Sequence, residues 1–272
     1  MPFIAAPLLV VICLRRGMNT RRVALIALVF VVTSALPPSP LLVRNIVQHG
    51  EATLTTQGGN HLMHWVLPLV RQGMGGLTIA QTTEATNQEY ESYLTAMGYS
   101  PDKISSFKYN MMKGRFALER LSELPKTAIA SAWLNGAALN LCAPALLVDP
   151  RIRAIYSGSF YATPGAGLGE RARSYLSNAP GIWLTFLGVG FVIVVLGSAI
   201  QTWGFVNLWR GNLWIAILCV AFIVYFLGIM GPVGGPRYGL PFEPLLIIFA
   251  ALGLTDLWGR LVLRTQGQEC PQ

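Results

Sequence analysis

Residues Gly231–Pro244 read G-P-V-G-G-P-R-Y-G-L-P-F-E-P, with the apolar run Leu213–Met230 before them and a second, Pro241–Trp258, overlapping their end. Each run is of the length that crosses a bilayer, so the stretch reads as the turn of a transmembrane helical hairpin. Gly231, Gly234, Gly235 and Gly239 open backbone angles closed to other residues. Pro232, Pro236, Pro241 and Pro244 stop any helix from running through. One cation, Arg237, and one phenol, Tyr238, stand in their midst. Two readings of that pair follow: rigid backbone presenting a charge at the membrane surface, or a plain loop whose arginine reaches out to water.

The rest of the chain agrees with a hairpin in lipid. Of 272 residues, 53% are hydrophobic and only 12% charged, against about 25% charged in soluble domains. The expected fold is an all-α polytopic membrane protein, a transmembrane helix bundle with an extracytoplasmic α-rich insertion. The net charge of +8 comes from Lys and Arg scattered over loops and helix ends. Membrane topology and anionic lipid account for such a distribution, and no nucleic-acid partner is expected. Cys13, Cys142, Cys219 and Cys270 show no metal or redox spacing.

Residues 1–43 read as two transmembrane helices. Pro2–Leu14 is short for a hydrocarbon core of about 30 Å, as a helix clipped at its outer end would be. Arg15, Arg16, Arg21 and Arg22 follow at once and mark a cytoplasmic loop. Val23–Leu42 then spans outward and stops at Pro37, Pro38 and Pro40. Residues 44–126 form the extracytoplasmic segment. It holds a Thr-rich strand-like piece after Gly50 and a polar helix Thr83–Met97, capped by Thr83 and stopped by Gly98. A second helix is opened by Ser100-Pro101-Asp102. Its apolar positions Ile104, Phe107, Met111, Met112, Phe116, Leu118 and Leu121 alternate with Lys103, Lys108, Lys113, Arg115 and Arg120. That pattern suits either a helix along the membrane interface or the solvated face of a small extramembrane domain.

Residues 127–180 contain the uncharged run Thr127–Val148, which spans, re-enters or lies against the bundle, and then an arginine-bearing loop. Residues 181–259 hold three spans, Gly181–Ile200, Leu213–Met230 and Pro241–Trp258, and 260–272 form a polar tail. Arg237 faces the cytoplasm if the 127–148 run crosses the membrane, and outward if it does not. Counting Lys and Arg in the later loops leans towards crossing.

The run P-P-S-P-L-L-V-R-N-I-V-Q-H-G at Pro37–Gly50, the G-G-N step at Gly58–Asn60 and P-R-Y-G-L-P-F-E-P at Pro236–Pro244 together resemble a known pattern. It is that of GT-C type membrane glycosyltransferases, in the PMT-like and lipid A aminoarabinose transferase-like branch. The resemblance implies a transferase of the bacterial inner membrane. Such an enzyme moves a sugar from a polyprenyl-phosphate donor to a lipid, glycan or protein acceptor on the extracytoplasmic face. Arg237 and Tyr238 match the family's R-Y step, and Arg44 and Asn45 its R-N step. Arg237, Tyr238 and Arg44 are therefore expected at the donor phosphate, with Asn45, Asn60 and Glu243 in support. A cation fixed in a low-dielectric setting stabilises the charge that builds on a phosphate leaving group, and the planar guanidinium suits phosphate oxygens.

The family's acidic residue, a base or cation ligand in the first outer loop, has no counterpart here, because Glu51 is the first acidic residue. The expectation is accordingly the C-terminal half of such an enzyme, inactive without an N-terminal half that brings the catalytic carboxylate. A divalent cation would belong to the complete enzyme. Within this chain His61 and His64 share a helical face at i, i+3 but lack a third ligand, so no metal is expected. Glu84, Glu89 and Glu91 are expected to face solvent, Glu243 to pair with Arg237, and Asp256 with Arg260. The alternatives from other classes are a transporter or flippase half for lipid-linked glycan, where Gly- and Pro-broken helices also occur, and a non-catalytic membrane scaffold. The absence of an internal repeat and of charges within the spans weighs against the transporter.

Overall fold

A computed structural model describes residues 2–75, 77–100, 105–144, 149–156, 158–165 and 167–267. It is 81% helical, with no strand among the described residues. The protein is a helical, multi-pass membrane protein. Helix α1 (Pro2–Arg15) turns at Gly17 into α2 (Thr20–Ala35), whose first turn is capped by Asn19. Helix α3 (Ser39–His49) follows at a 55° bend to α2. The expected single span Val23–Leu42 is thus a broken pair. The prolines do stop α2, but Pro40 sits in the first turn of α3, where its missing N–H costs nothing. Arg44 and Asn45 consequently lie on a helix and not in a loop. Gly50 closes α3 in the left-handed region at φ 70°, and residues 51–57 form an irregular loop in place of the expected strand-like piece.

The chain then builds a small helical subdomain. The short α4 (Gly58–His61) continues through a π-helical turn, Leu62–Val66, into α5 (Leu67–Gly75). Helix α6 (Ile79–Ala96) starts four residues before the expected N-cap, because Thr78 and Gln81 close a reciprocal capping box. Gly98, at φ 73°, lies just past its end as expected. Helix α7 (Ser106–Glu123) is capped by Ser105; the expected Pro101 start and Ile104 lie outside the described residues. Met63, Val66, Leu67, Val70, Tyr90, Leu94, Met112, Phe116 and Leu121 make one buried core. At about 1.5–3 kcal/mol per large apolar side chain removed from water, this core holds α5, α6 and α7 together. Helix α7 therefore packs its apolar side into a subdomain.

Glu89 binds it from the side: its carboxylate meets Arg71 of α5 at 2.8 Å and Arg120 of α7. This overturns the expectation that Glu89 simply faces solvent.

Helix α8 (Lys126–Cys142) lies against α5 and against the membrane end of the hairpin. Over 126–142 the run Thr127–Val148 is one helix packed against the bundle; residues 145–148 lie outside the described part. Short helices α9 (Pro150–Arg153) and α10 (Leu168–Asn178) lead to the long apolar α11 (Gly181–Gly211), α12 (Leu213–Met230) and α13 (Glu243–Gly267). Helices α11 and α13, not neighbours in sequence, make the most extensive contact of the bundle. Gly204 faces the Phe249 carbonyl, Gly253 faces that of Ile200, and the Phe205 and Phe249 rings meet at 5.4 Å. Small residues let two helix backbones approach in this way.

The bundle has two chemically different ends. At one, Arg15 lies over the Trp214 ring at 5.1 Å, Arg210 closes α11, and Arg260 pairs with Asp256 at 2.8 Å as expected, beneath Trp203. The arginine loop 15–22 belongs to this end. At the other end stand the subdomain, α8 and the turn between α12 and α13. Arg237 therefore shares its end with the insertion, opposite to the arginine loop.

Candidate functional site

The turn between α12 and α13 is held by α8. Asn140, only 6% exposed, donates from its side-chain amide to the Val233 carbonyl at 3.1 Å and accepts from the Gly235 N–H at 2.9 Å. The Trp133 indole N–H donates to the Gly228 carbonyl at 3.2 Å. Gly136 leaves room for the backbone of Gly231 and Pro232; a Cβ there would lie 2.8 Å from the Pro232 Cα. With Gly231 at φ 63° the chain leaves α12 in a conformation that side chains resist. Pro236–Gly239 then forms one 3-10 turn.

On this cradle Arg237 is exposed, and its guanidinium donates to the Tyr238 hydroxyl at 2.8 Å while lying 4.8 Å from the ring centre. Among the described residues it makes no ion pair with Glu243, contrary to expectation. Glu243 is exposed in the first turn of α13, where a carboxylate complements the helix dipole. A guanidinium aligned by its neighbouring phenol and unneutralised by carboxylate is a ready acceptor site for an anion at the membrane surface.

The R-N step has a different architecture. Asn45 is fully buried and donates to the Thr53 carbonyl at 2.7 Å, which pins the 51–57 loop back onto α3. Arg44 is exposed and leans on the Asn45 amide oxygen at 3.2 Å. Asn45 is thus a staple and Arg44 a surface cation with no carboxylate partner among the described residues. Arg44 and Arg237 share no bonding partner among the described residues.

The G-G-N step packs on α7. Gly59 touches the Asn110 backbone so closely that any Cβ would overlap its carbonyl, and the Asn60 N–H donates to the Asn110 side chain at 3.1 Å. Asn60 in turn accepts from Lys113 at 2.9 Å, and the same ammonium lies 3.1 Å from Nε2 of His64 and 4.4 Å from the centre of the Tyr109 ring. Lys113 is only 8% exposed. A buried lysine ringed by neutral groups escaped the sequence, where it reads as one of the charged positions of α7. The histidines diverge: His64 faces Lys113, and His61 lies beside the Met230 backbone at the head of the hairpin turn. Among the described residues no three His, Cys, Asp or Glu side chains are placed to hold a metal. The three described cysteines are free; Cys270 lies outside the described residues.

With Lys113 charged, Nε2 of His64 is the acceptor and Nδ1 carries the proton. Burial first, and the Lys113 charge second, hold the His64 pKa below its ordinary 6.5. The folded state thus disfavours the imidazolium, so stability is retained above pH 6.5 and is lost as pH falls below it towards the depressed value. Ring-proton NMR should give a His64 midpoint below 6.5, and Lys113→Met should shift it upward part of the way. A midpoint at or above 6.5 would show that the imidazole is not shielded by this cluster.

Comparison of the chain with protein families, with curated proteins and with solved structures returned no match in any of the three.

Proposed function

We propose that this chain acts as part of an integral-membrane glycosyltransferase of the GT-C type. The enzyme transfers a sugar from a polyprenyl-phosphate donor to a lipid, glycan or protein acceptor at the outer face of the bacterial inner membrane. The observation that carries this reading is the gathering of the R-N, G-G-N and P-R-Y-G-L-P steps, remote in sequence, at the end of the bundle opposite the arginine loop. By the positive-inside rule the end with Arg15, Arg16, Arg21 and Arg22 is cytoplasmic, which puts Arg237 outside.

There Arg237 binds the carrier phosphate through its planar fork and opposes the charge that develops as the glycosidic bond breaks. Tyr238 aligns the guanidinium. Arg44 adds a second surface cation, and Asn45 and Asn60 keep their loops in register. The carboxylate that activates the acceptor, and any divalent cation, belong to the complete enzyme.

The test is transfer of radiolabelled sugar from polyprenyl phosphate in membranes containing the complete enzyme. Arg237→Ala is expected to lower transfer about 100-fold, the scale seen when one transition-state donor is removed, and Arg237→Lys to restore part of it. Turnover unchanged by Arg237→Ala would overturn the assignment.

A further inference from the structure

A cavity of about 300 Å³ opens between α6, α7 and the π-helical turn. Lys113, His64 and Tyr109 line it together with Glu84, Glu91 and Gln88 of α6, the last three exposed. Two features are unusual together. Lys113 is buried without a carboxylate partner, although two carboxylates line the same space; no ion pair joins them among the described residues. Asn60 and His64 fix the ammonium's direction, which a structural strut would not need at a cavity wall. Burial lowers the pKa of Lys113, so the charge is kept at a cost in stability.

The contents define a ligand. A simple anion would gain Lys113 but meet Glu84 and Glu91; a simple cation would meet the reverse. A ligand whose groups both donate and accept satisfies all three, with hydroxyls donating to the carboxylates and accepting from the ammonium. Gln88 and Tyr109 complete such a lining. The volume is at the small end of ligand pockets, which run about 300–1,000 Å³, enough for one or two sugar rings. We infer that this cavity is a carbohydrate-binding site, in which Lys113 and the Glu84 and Glu91 carboxylates grip the hydroxyls of a neutral sugar. Binding here uses none of the residues assigned to the donor phosphate and stands or falls apart from transfer.

The experiment is saturation-transfer NMR with titration on the full chain in lauryldimethylamine oxide, a detergent without sugar. The probes are D-glucose, D-mannose, N-acetyl-D-glucosamine and maltose. Saturable binding of at least one is expected, weakened about tenfold or more by Lys113→Met and likewise by Glu84→Gln with Glu91→Gln. The double variant alters only exposed side chains, so unchanged circular dichroism keeps its result interpretable if Lys113→Met fails to fold. No saturable binding by any probe, equal binding by the variants, or binding of inorganic phosphate in preference to every sugar would each overturn the inference. Loss of sugar transfer in Arg237→Ala with sugar binding intact would leave both assignments standing separately.

Discussion

Replacing Asn140 with leucine is expected to destabilise the protein by about 3 kcal/mol and to disable the Arg237 turn. Leucine has the same branched shape and is the larger of the two, so no cavity accounts for the effect. What changes is that the Val233 carbonyl and the Gly235 N–H, bonded to Asn140 at 3.1 and 2.9 Å, lose their partner. Val233 is only 4% exposed, so water cannot easily replace the amide. Each buried polar group left unpaired costs about 1–3 kcal/mol. Unfolding in detergent, followed by circular dichroism, measures the loss, and amide exchange at Gly235 should accelerate by orders of magnitude. A leucine variant as stable as the parent would mean that the turn keeps its shape through its own glycines and prolines alone. In the complete enzyme, transfer should fall with Asn140→Leu about as far as with Arg237→Ala, since Arg237 follows two residues after the anchored Gly235.

The second large effect is expected at the contact of α11 with α13. A Cβ on Gly204 would overlap the Phe249 carbonyl and stand 2.7 Å from the Gly253 nitrogen. Both obstacles are backbone, which cannot rotate aside as a side chain can. Gly204→Leu must therefore push the helices apart along their whole contact, separating Phe205 from Phe249. Overpacking of a well-filled interface costs about 1–3 kcal/mol, and the loss of helix contact adds to it. Gly253→Leu should do the same against Ile200, and the double variant should cost less than the sum, because both break one contact. Gly197→Leu, where nothing lies within 4 Å of the new Cβ, is the control on the same helix. Denaturation of the four variants by rising dodecyl sulfate in mixed micelles gives the comparison; equal midpoints for Gly204→Leu and Gly197→Leu would contradict the packing described.

The membrane helices α11, α12 and α13 were legible because composition alone specifies them: in lipid, an apolar run satisfies its backbone only as a helix. The bend between α2 and α3 was not, because a proline pair signals an end and is silent on whether a new helix starts at once. Glu89 and Lys113 show the limit of periodic patterns. Each occupies a position that reads as a polar face, yet each is partnered by residues far along the chain. Lys113 meets Asn60 and His64, separated from it by 53 and 49 positions, on a segment whose π-helical turn no local signal announces. Arg237 and Tyr238 were legible as an unusual pair, and their mutual contact follows from adjacency. The clamp provided by Asn140 was not, since an asparagine in an apolar run reads only as a flaw in a span. That the turn shares an end of the bundle with the subdomain likewise followed only from α8 packed beside it.

The partnership of α11 with α13 also has a consequence in time. Helix α11 leaves the ribosome before its partner exists, and α12 must be made and turned back before residues 249–256 can arrive beside Gly204. During that interval the notch at Gly204 faces lipid or the insertion machinery. Folding of this bundle is thus not a stepwise addition of finished hairpins but a late closure. A nascent chain arrested before Phe249 should leave Gly204 open to photo-crosslinking by membrane chaperones, and one arrested after Asp256 should not.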